Sequence, residues 1–253
     1  MNNDRIAAVD WQLDRGRAVL SLHGLRLSID LENIQRGLCV ETDSHGTWQG
    51  GILGVSCSGS SEPLSALVET YARGSELFAE YGPLPERPYR VSTAWQCCPA
   101  VEGNAAVLVL RLLVSVRTDV LQSRPTVIVS SEIPGTKIQT LTATEPAAFQ
   151  TLEMEQSSTP AELEATCLLV DAAGAPHRYL EMIDPRDRGS FAVRQKPDGT
   201  LRTQWTLLLE RSLEKGVIRR ARLQAVILPQ DSQDAAAIAC WEAFVKSLAP
   251  LSA

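Results

Sequence analysis

Histidine and lysine are scarce in this 253-residue chain, which contains three histidines and four lysines. The histidines are His23, His45 and His177, and a three-histidine metal site would require all of them to converge although no two are close in sequence. The segment 184–189 has two aspartates but lacks the repeated Asp/Asn pattern of a calcium loop, and its arginines would repel a cation. The sequence therefore predicts no metal site.

Motifs for nucleotide binding and for nucleophilic catalysis are also missing. The glycine-rich segment 50–59 matches neither G-x-G-x-x-G nor G-x-x-x-x-G-K, and no helix is predicted after it. Its GVSCS stretch differs from the G-x-S-x-G nucleophile motif because Ser58 stands where that motif has its last glycine. We therefore expect no cofactor and no serine hydrolase.

Cysteine spacing and apolar runs are equally uninformative about chemistry but do indicate a compartment. The six cysteines form no C-x-x-C pair, which argues against a zinc site and against the disulfide framework of a small secreted domain. No apolar run approaches the length of a membrane span, and the first ten residues lack the architecture of a signal peptide. We expect a soluble protein in the reducing cytoplasm.

An excess of positive charge is absent too. The formal net charge is −6, and the sequence pI is about 5.2. The densest basic stretch is RRAR at 219–222, but on a strand Arg219 would face one way while Arg220 and Arg222 face the other. We therefore predict no nucleic-acid partner and no membrane partner, because both need a positive field.

Period-two alternation of apolar and polar residues is the dominant feature, and it indicates antiparallel strands. The clearest case is the segment 105–119, which places Leu108, Leu110, Leu112, Val114 and Val116 on one face. Its other face mixes apolar residues with Arg111, Ser115 and Arg117, which predicts a central strand with one fully buried and one partly buried side.

Turn residues divide the alternating segments into hairpins. A hairpin is predicted for 17–32, with its turn at His23 and Gly24, and 66–82 reads as one strand or as two that break near Gly74. The segment 105–143 is predicted to be a three-stranded meander.

The predicted fold is mainly β: a large antiparallel two-sheet sandwich with one C-terminal α-helix. The helix follows a cap at Asp231 or Ser232, and its apolar residues recur at helical spacing: Ile238, Trp241, Val245 and Leu248. We interpret residues 1–253 as one domain in which 144–162 is a long connection. Two smaller β domains joined near residue 150 are the alternative.

Candidate site residues cluster in the segment 176–191. His177, Tyr179 and Glu181 share one face of a predicted strand, and a rise of about 3.3 Å per residue separates His177 from Glu181 by roughly 13 Å. An acid–base pair would therefore need its second member from a neighbouring strand. If the preceding hairpin places Asp171 opposite His177, that neighbour offers only apolar atoms.

Two other strands alternate aromatic with polar side chains. Glu69, Tyr71 and Arg73 alternate along one of them. On the other, Tyr89, Thr93 and Trp95 lie on one face. Proteins bind sugars with an aromatic ring that stacks on the sugar's C–H face and with polar groups that bond its hydroxyls. The predicted ligand-binding residues are Tyr71, Arg73, Glu69, Trp95 and Tyr179.

Two segments resemble parts of a known architecture, the galactose-mutarotase-like β-supersandwich. They are RLSIDLENIQRGLCVE, a strand that leads to a glycine and a further strand, and LLLERSLEKGVIRRARLQAVIL, which is similar to that family's closing hairpin. The resemblance implies a large antiparallel fold that occurs in carbohydrate-active proteins. It also implies a histidine-plus-glutamate acid–base pair for the family's epimerases, which has no residue-by-residue match in this chain.

Three hypotheses about function follow. The first is a β-sandwich that binds a carbohydrate on a concave sheet face. The second is an enzyme of the sugar epimerase type, with His177 or Glu181 as the proton carrier. The third is a structural or assembly protein that uses sheet edges or the C-terminal helix as an interface.

Overall fold

The structure is a computed structural model that describes residues 10–22, 24–42, 46–47, 50–57, 64, 66–98, 106–135, 137–142, 147–152, 161–171, 177–209 and 212–247. These ranges contain strands β1 (Gln12–Asp14), β2 (Arg17–Leu22), β3 (Leu25–Asp30), β4 (Cys39–Thr42), β5 (Gly46–Thr47), β6 (Gly54–Cys57), β7 (Leu67–Arg73), β8 (Glu76–Tyr81), β9 (Tyr89–Cys98), β10 (Leu108–Thr118), β11 (Gln122–Ser123), β12 (Val127–Pro134), β13 (Lys137–Thr142), β14 (Ala148–Thr151), β15 (Ala161–Leu163), β16 (Cys167–Asp171), β17 (His177–Ile183), β18 (Arg188–Gln195), β19 (Thr200–Leu207), β20 (Leu213–Glu214) and β21 (Ile218–Pro229). They also contain a 3₁₀ helix (Leu31–Arg36) and the α-helix α1 (Asp234–Lys246).

The strands pair antiparallel in four sheets. The largest has nine strands in the order β14-β13-β16-β17-β21-β10-β9-β8-β7. A five-stranded sheet has the order β1-β2-β3-β4-β5, a second has β15-β18-β19-β12-β6, and β11 pairs with β20. The predicted breaks at Gly24 and Gly74 are confirmed, and both glycines have positive φ, which their lack of a Cβ permits. His23 lies outside the described residues.

Strand β10, at the centre of the nine-stranded sheet, has the two faces that its sequence predicts. Its inner face is fully buried and consists of Leu108, Leu110, Leu112, Val114 and Val116. On its outer face Arg111 and Arg117 are exposed, while Leu113 and Ser115 are half-buried. The alternation therefore predicted correctly which side chains leave the core.

The main hydrophobic core lies between the inner face of the nine-stranded sheet and the two five-stranded sheets. One continuous cluster joins Trp95 and Leu112 of the large sheet with Leu27 of the first five-stranded sheet and Trp205 of the second. The predicted fold class, a mainly β sandwich with one C-terminal helix, is confirmed. Strands from both sides of the 144–162 segment pair within the same sheets, and the single-domain interpretation stays a prediction.

Helix α1 covers part of the outer face of the nine-stranded sheet. A second cluster packs its Ala237, Cys240 and Phe244 against side chains such as Met182 and Val226. The prediction of the buried helix face was off by a fraction of a turn. Ile238, Trp241 and Val245 are only half-buried, and Leu248 lies outside the described residues. The predicted caps were also wrong, because Gln233 is the N-cap and makes no side-chain capping bond.

A buried arginine anchors the start of the helix to the sheet. Arg178 of β17 donates hydrogen bonds to the Asp171 carboxylate (2.8 Å), the Asp234 carboxylate (2.9 Å) and the Ser232 carbonyl (2.8 Å). The start of the helix is thus bonded directly to the sheet.

A second buried arginine does the same at the end of the helix. Arg222 of β21 donates to the carbonyl and the hydroxyl of Ser247, both at 2.8 Å, and its guanidinium lies 4.8 Å from the ring centroid of Phe244. The two arginines thus attach both ends of the helix to the nine-stranded sheet.

One organisational prediction was wrong. The segment 105–143 is not a meander, because β10 and β13 belong to the nine-stranded sheet while β12 belongs to a five-stranded one. The predicted connection 144–162 contains β14 and the start of β15, which are edge strands of different sheets. Period-two alternation identifies strands, but it carries no information about which sheet a strand joins.

Candidate functional site

Strand β17, which carries most of the predicted site residues, is buried on both faces. Tyr179 and Glu181 have no exposed surface and point between the sheets, whereas Leu180 and Met182 pack beneath helix α1. Neither Tyr179, which was predicted to bind a ligand, nor Glu181, which was a predicted proton carrier, has access to solvent.

The Glu181 carboxylate is saturated by hydrogen bonds inside the sandwich. The Tyr179 hydroxyl, the Ser131 hydroxyl and the Trp205 indole N–H donate to it, and the Thr203 hydroxyl does so at 3.1 Å. Ser131 lies on β12, Thr203 and Trp205 lie on β19, and Tyr179 lies on β17 itself, so the carboxylate connects the two layers. Burial first, and then the Glu181 charge, raise the pKa of Tyr179, so its hydroxyl stays protonated and can donate. This arrangement stabilises the fold.

His177 is the first residue of β17, lies half-buried opposite Pro229, and alternates onto the same face as Glu181. His177 and Glu181 are four positions apart on an extended strand, so their side chains are too distant to act as a pair. The proton-carrier hypothesis required a partner across a cleft, and Glu181 faces no cleft.

The predicted register of the β16–β17 hairpin was wrong by one residue. Asp171 lies opposite Arg178 rather than His177, so Val170 faces Tyr179. The residues of the connecting loop, 172–176, lie outside the described ranges, and their sequence alone did not fix the pairing. The Asp171–Arg178 ion pair across the two strands is consistent with the observed register.

The charged residues after β17 form ion pairs rather than a ligand wall. The Asp184 carboxylate accepts from Arg222 at 2.6 and 2.8 Å and from Arg186 at 2.8 and 3.0 Å. Hydrogen bonds from Arg186, and then from Arg222, hold the pKa of Asp184 well below its ordinary range. Among the described residues, no group of three histidine, cysteine or acidic side chains is placed to hold a metal ion.

Trp95 also lies in the interior. It has no exposed surface and sits on the inner face of β9, together with Tyr89 and Thr93. The stacking role predicted for Trp95 is therefore corrected: the alternation along β9 is real, but its aromatic face belongs to the core.

An open groove of about 500 Å³ lies on the outer face of the nine-stranded sheet, beside the end of helix α1. Its floor comes from β7, β8, β9, β10 and β21, and Phe244 and Ser247 belong to its lining at the helix end. The floor residues are Tyr71, Glu76, Phe78, Glu80, Ser92, Ala94, Gln96, Arg111, Leu113, Ser115, Arg117, Ile218, Arg220 and Arg222.

Strand register arranges the groove floor in cross-strand rows. The middle row begins with the apolar side chains of Tyr71, Phe78, Ala94 and Leu113, and it ends at Arg222. We call its first four residues the apolar row. The Tyr71 and Phe78 rings stack with their centroids 4.8 Å apart and their planes 15° from parallel.

Polar rows run on both sides of the apolar row. On one side, the row contains Arg73, Glu76, Gln96, Arg111 and Gln224. On the other, it contains Glu69, Glu80, Ser92, Ser115 and Arg220. Adjacent strands are about 4.8 Å apart, so each row presents side chains at regular short intervals.

The residues predicted on β7 fall at the edge of this groove. Tyr71 is 40% exposed and lines it, and its hydroxyl donates a long hydrogen bond of 3.4 Å to Glu76. Glu69 and Arg73 are exposed on the same strand, opposite Glu80 and Glu76. The structure thus brings three of the predicted residues to one surface, although their role there stays a prediction.

Two carboxylates and several arginines set the charge of the groove. Glu80 accepts from Arg117 at 3.1 and 3.2 Å and from Arg90 at 3.3 Å, and Arg111 donates to the neutral Gln224 amide oxygen at 3.1 Å. Partial burial and the nearby Glu76 carboxylate raise the pKa of Tyr71, so the hydroxyl remains a donor.

Sequence reasoning missed most of the groove, in particular Glu76, Phe78, Gln96, Arg111 and Arg220. Part of the signal was present, since Arg111 stood out on the mixed face of its strand and Arg220 was placed on one face with Arg222. The sequence did not show that β9, β10 and β21 are neighbours or that they form a groove beside the end of helix α1.

Solved structures resemble this β-sandwich fold. An α-N-acetylgalactosaminidase, NagBb from Bifidobacterium bifidum, matches with a TM-score of 0.56 and 12% identity over 90% of this chain and 38% of that one. A galactose mutarotase-like protein from Lactobacillus casei matches with a TM-score of 0.52 and 8% identity over 84% of this chain and 100% of that one.

These similarities concern fold alone. The predicted architectural resemblance is confirmed, and the chain spans about two fifths of the length of NagBb. No protein-family model matches the sequence, and no curated protein does so either. Within the described ranges, no helix has the length and hydrophobicity needed to cross a membrane.

Proposed function

We propose that this chain binds a carbohydrate in the groove on the outer face of the nine-stranded sheet. The observation that carries the proposal is the stacked pair of Tyr71 and Phe78 at one end of an apolar row, with polar rows on both sides. A sugar ring placed over this row would bury its C–H face against apolar atoms and direct its hydroxyls to the polar rows.

The size of the groove agrees with this role. Its volume of about 500 Å³ lies within the range of roughly 300–1,000 Å³ that small-molecule sites usually have. Its polar side chains supply both acceptors and donors, such as the Glu76 carboxylate and the Gln96 amide. Similar folds occur in an α-N-acetylgalactosaminidase and in a galactose mutarotase-like protein, which supports a ligand of this class.

The other two hypotheses have less support. For the enzyme, Glu181 is saturated and enclosed in the core. For the assembly protein, only six large apolar residues of the described ranges are exposed, and two of them, Tyr71 and Ile218, line the groove. The six are Val68, Tyr71, Val120, Leu121, Leu208 and Ile218. A few exposed apolar residues are common on monomeric proteins. A single domain and a cytoplasmic location remain part of the proposal.

Phenylalanine substitutions on the same sheet face test the proposal. A glycan array would identify oligosaccharides that bind, and isothermal titration calorimetry would then measure their affinity. We expect Phe78→Ala to weaken binding by about tenfold, since it removes the central ring of the apolar row. Phe149→Ala is the matched control, because Phe149 is also half-buried but packs against the helix cluster.

Two results would contradict the proposal. One is the absence of any bound glycan, and the other is a Phe78→Ala variant that binds as tightly as the wild type. A loss of affinity in Phe149→Ala equal to that in Phe78→Ala would show a general effect of destabilisation rather than a role of the groove.

A further inference from the structure

The charges that line the groove are not balanced one against another. Glu80 is bonded to two arginines, and Arg222 is paired with the buried Asp184. Two further arginines, Arg111 and Arg220, are exposed in the groove and form no ion pair with any residue of the described ranges. The groove therefore holds two guanidinium groups that form no direct ion pair with a carboxylate of the described residues.

These two arginines lie on opposite sides of the apolar row. Arg220 is the cross-strand partner of Ser115, four residues along β10 from Arg111, and Leu113 lies midway between them. Four residues of strand correspond to roughly 13 Å. A ligand over the apolar row would thus have one arginine on each side of it.

Glu76 is the carboxylate in the described lining of the groove that forms no ion pair with an arginine. It lies on β8, which β9 separates from β10, and it accepts a hydrogen bond from the Tyr71 hydroxyl. Negative charge is therefore at the edge of the sheet, and the positive charge of the two arginines is at its centre, near the helix end.

Guanidinium groups are suited to particular anions. Their planar fork of donors matches carboxylate, sulfate and phosphate oxygens in a bidentate manner. The whole chain carries a net charge of −6, so its overall field does not attract anions, and an anionic ligand needs a local site of this kind.

We infer that the carbohydrate bound in this groove is acidic, with uronate, sulfate or phosphate groups held by Arg111 and Arg220. This inference rests on the proposed carbohydrate-binding function and narrows it to a ligand class. Neutral sugars would contact the apolar and polar rows without an anionic group for the arginines and would bind more weakly.

Matched ligand pairs test the inference. The probes are a galacturonate trisaccharide with its methyl ester, galactose 6-sulfate with galactose, and glucose 6-phosphate with glucose, all measured by calorimetry at low and high salt. For at least one pair, we expect the acidic member to bind about tenfold or more tightly than its neutral partner. That preference should shrink at high salt, because ions screen exposed charges. The three pairs distinguish carboxylate, sulfate and phosphate as the recognised group.

Arginine variants connect the preference to the groove. Arg111→Gln and Arg220→Gln should each reduce affinity for the acidic probe by several fold, and the double variant should bind both members of the pair alike. Arg194→Gln is the control, since Arg194 is exposed on the second five-stranded sheet and the substitution removes the same charge elsewhere.

The outcomes separate the inference from the function on which it rests. If neutral and acidic probes bind equally well and Phe78→Ala weakens both, the acidic class is wrong while carbohydrate binding stands. If the acidic preference persists in the double arginine variant, the assignment to Arg111 and Arg220 is wrong. If no probe in the panel or on the glycan array binds, both are overturned.

Discussion

Two carboxylates of the nine-stranded sheet, Glu181 and Glu80, are each surrounded by several donors but serve different regions. Glu181 has no exposed surface, and its donors are neutral hydroxyl and indole groups of the opposing layer. Glu80 lies in the groove with a side chain that is 13% exposed, and its donors are arginines of its own sheet. The first joins two layers, and the second organises an open surface.

This difference shows that polar residues alternating along a strand do not by themselves mark a site. On β17 and β9 the alternating aromatic and polar residues face the core, whereas on β7 they face the groove. The layer that covers each face decides between structure and binding. The following substitutions test the distinction, in order of decreasing expected effect.

Removal of the interior carboxylate should have the largest effect on stability. Glu181→Ala leaves the donors of Ser131, Thr203 and Trp205 without their acceptor, and each buried unpaired group costs about 1–3 kcal/mol. We expect a loss of about 3–5 kcal/mol in the free energy of unfolding, measured by urea denaturation. Glu76→Ala in the groove should change it by less than about 0.5 kcal/mol. Equal effects of the two variants would contradict the comparison.

Two arginines on the same face of β21 should differ next most strongly. Arg222→Gln breaks the buried pair with Asp184 and the bonds to Ser247, and we expect it to lower the free energy of unfolding by about 2–3 kcal/mol. The loss stays below the usual cost of breaking a buried pair because Arg186 still contacts Asp184. Arg220→Gln should leave stability within about 0.5 kcal/mol of the wild type. A similar destabilisation by both would show that Arg220 belongs to the structural framework.

The pH dependence of stability should reveal the contribution of the ion pair between Asp184 and Arg222. Because the pKa of Asp184 is lowered in the folded state, its ionised form stabilises the fold above the ordinary value of 3.8, and that contribution is lost as the pH falls below it. Asp187 has a raised pKa, mainly through burial, and acts in the opposite direction. Asp184→Asn should therefore be less stable at neutral pH and lose less stability on acidification, as thermal denaturation across that range would show. An unchanged acid slope would contradict this role.

The smallest stability effect, but a clear binding effect, is expected at the edge of the groove. Tyr71 is 40% exposed, so Tyr71→Ala should leave the thermal midpoint nearly unchanged. It should nevertheless weaken oligosaccharide binding by about threefold to fivefold, because one of two stacked rings is lost. Calorimetry measures this loss. Affinity equal to that of the wild type would exclude Tyr71 from the binding surface.

Much of the fold could be predicted from sequence because strand periodicity and turn residues are local signals. The two faces of β10, the Gly74 turn and the C-terminal helix all followed from patterns within about fifteen residues. The false meander at 105–143 and the one-residue register error at Asp171 had a common cause. Both concern pairing between strands, which local alternation does not specify.

The candidate site was less predictable for the same reason. Tyr71 was predicted to bind and does line the groove, whereas Trp95 and Tyr179 have equally suggestive neighbours in sequence and lie in the core. Arg111 and Arg220 come from strands more than a hundred residues apart in sequence, and only the pairing of β10 with β21 brings them to the same groove. The coverage of one half of the sheet by helix α1 depends on buried arginine contacts that no local pattern reveals.

Two leucines of β10 provide the most direct test of the central claim that the ligand binds on the outer face. Leu113 lines the groove, while Leu110 is buried on the inner face and does not line it. In a methyl NMR titration with the oligosaccharide that binds most tightly, the account predicts large saturable shifts for Leu113 and small ones for Leu110. Shifts centred on Leu110 and the surroundings of Glu181, with Leu113 unchanged, would contradict it.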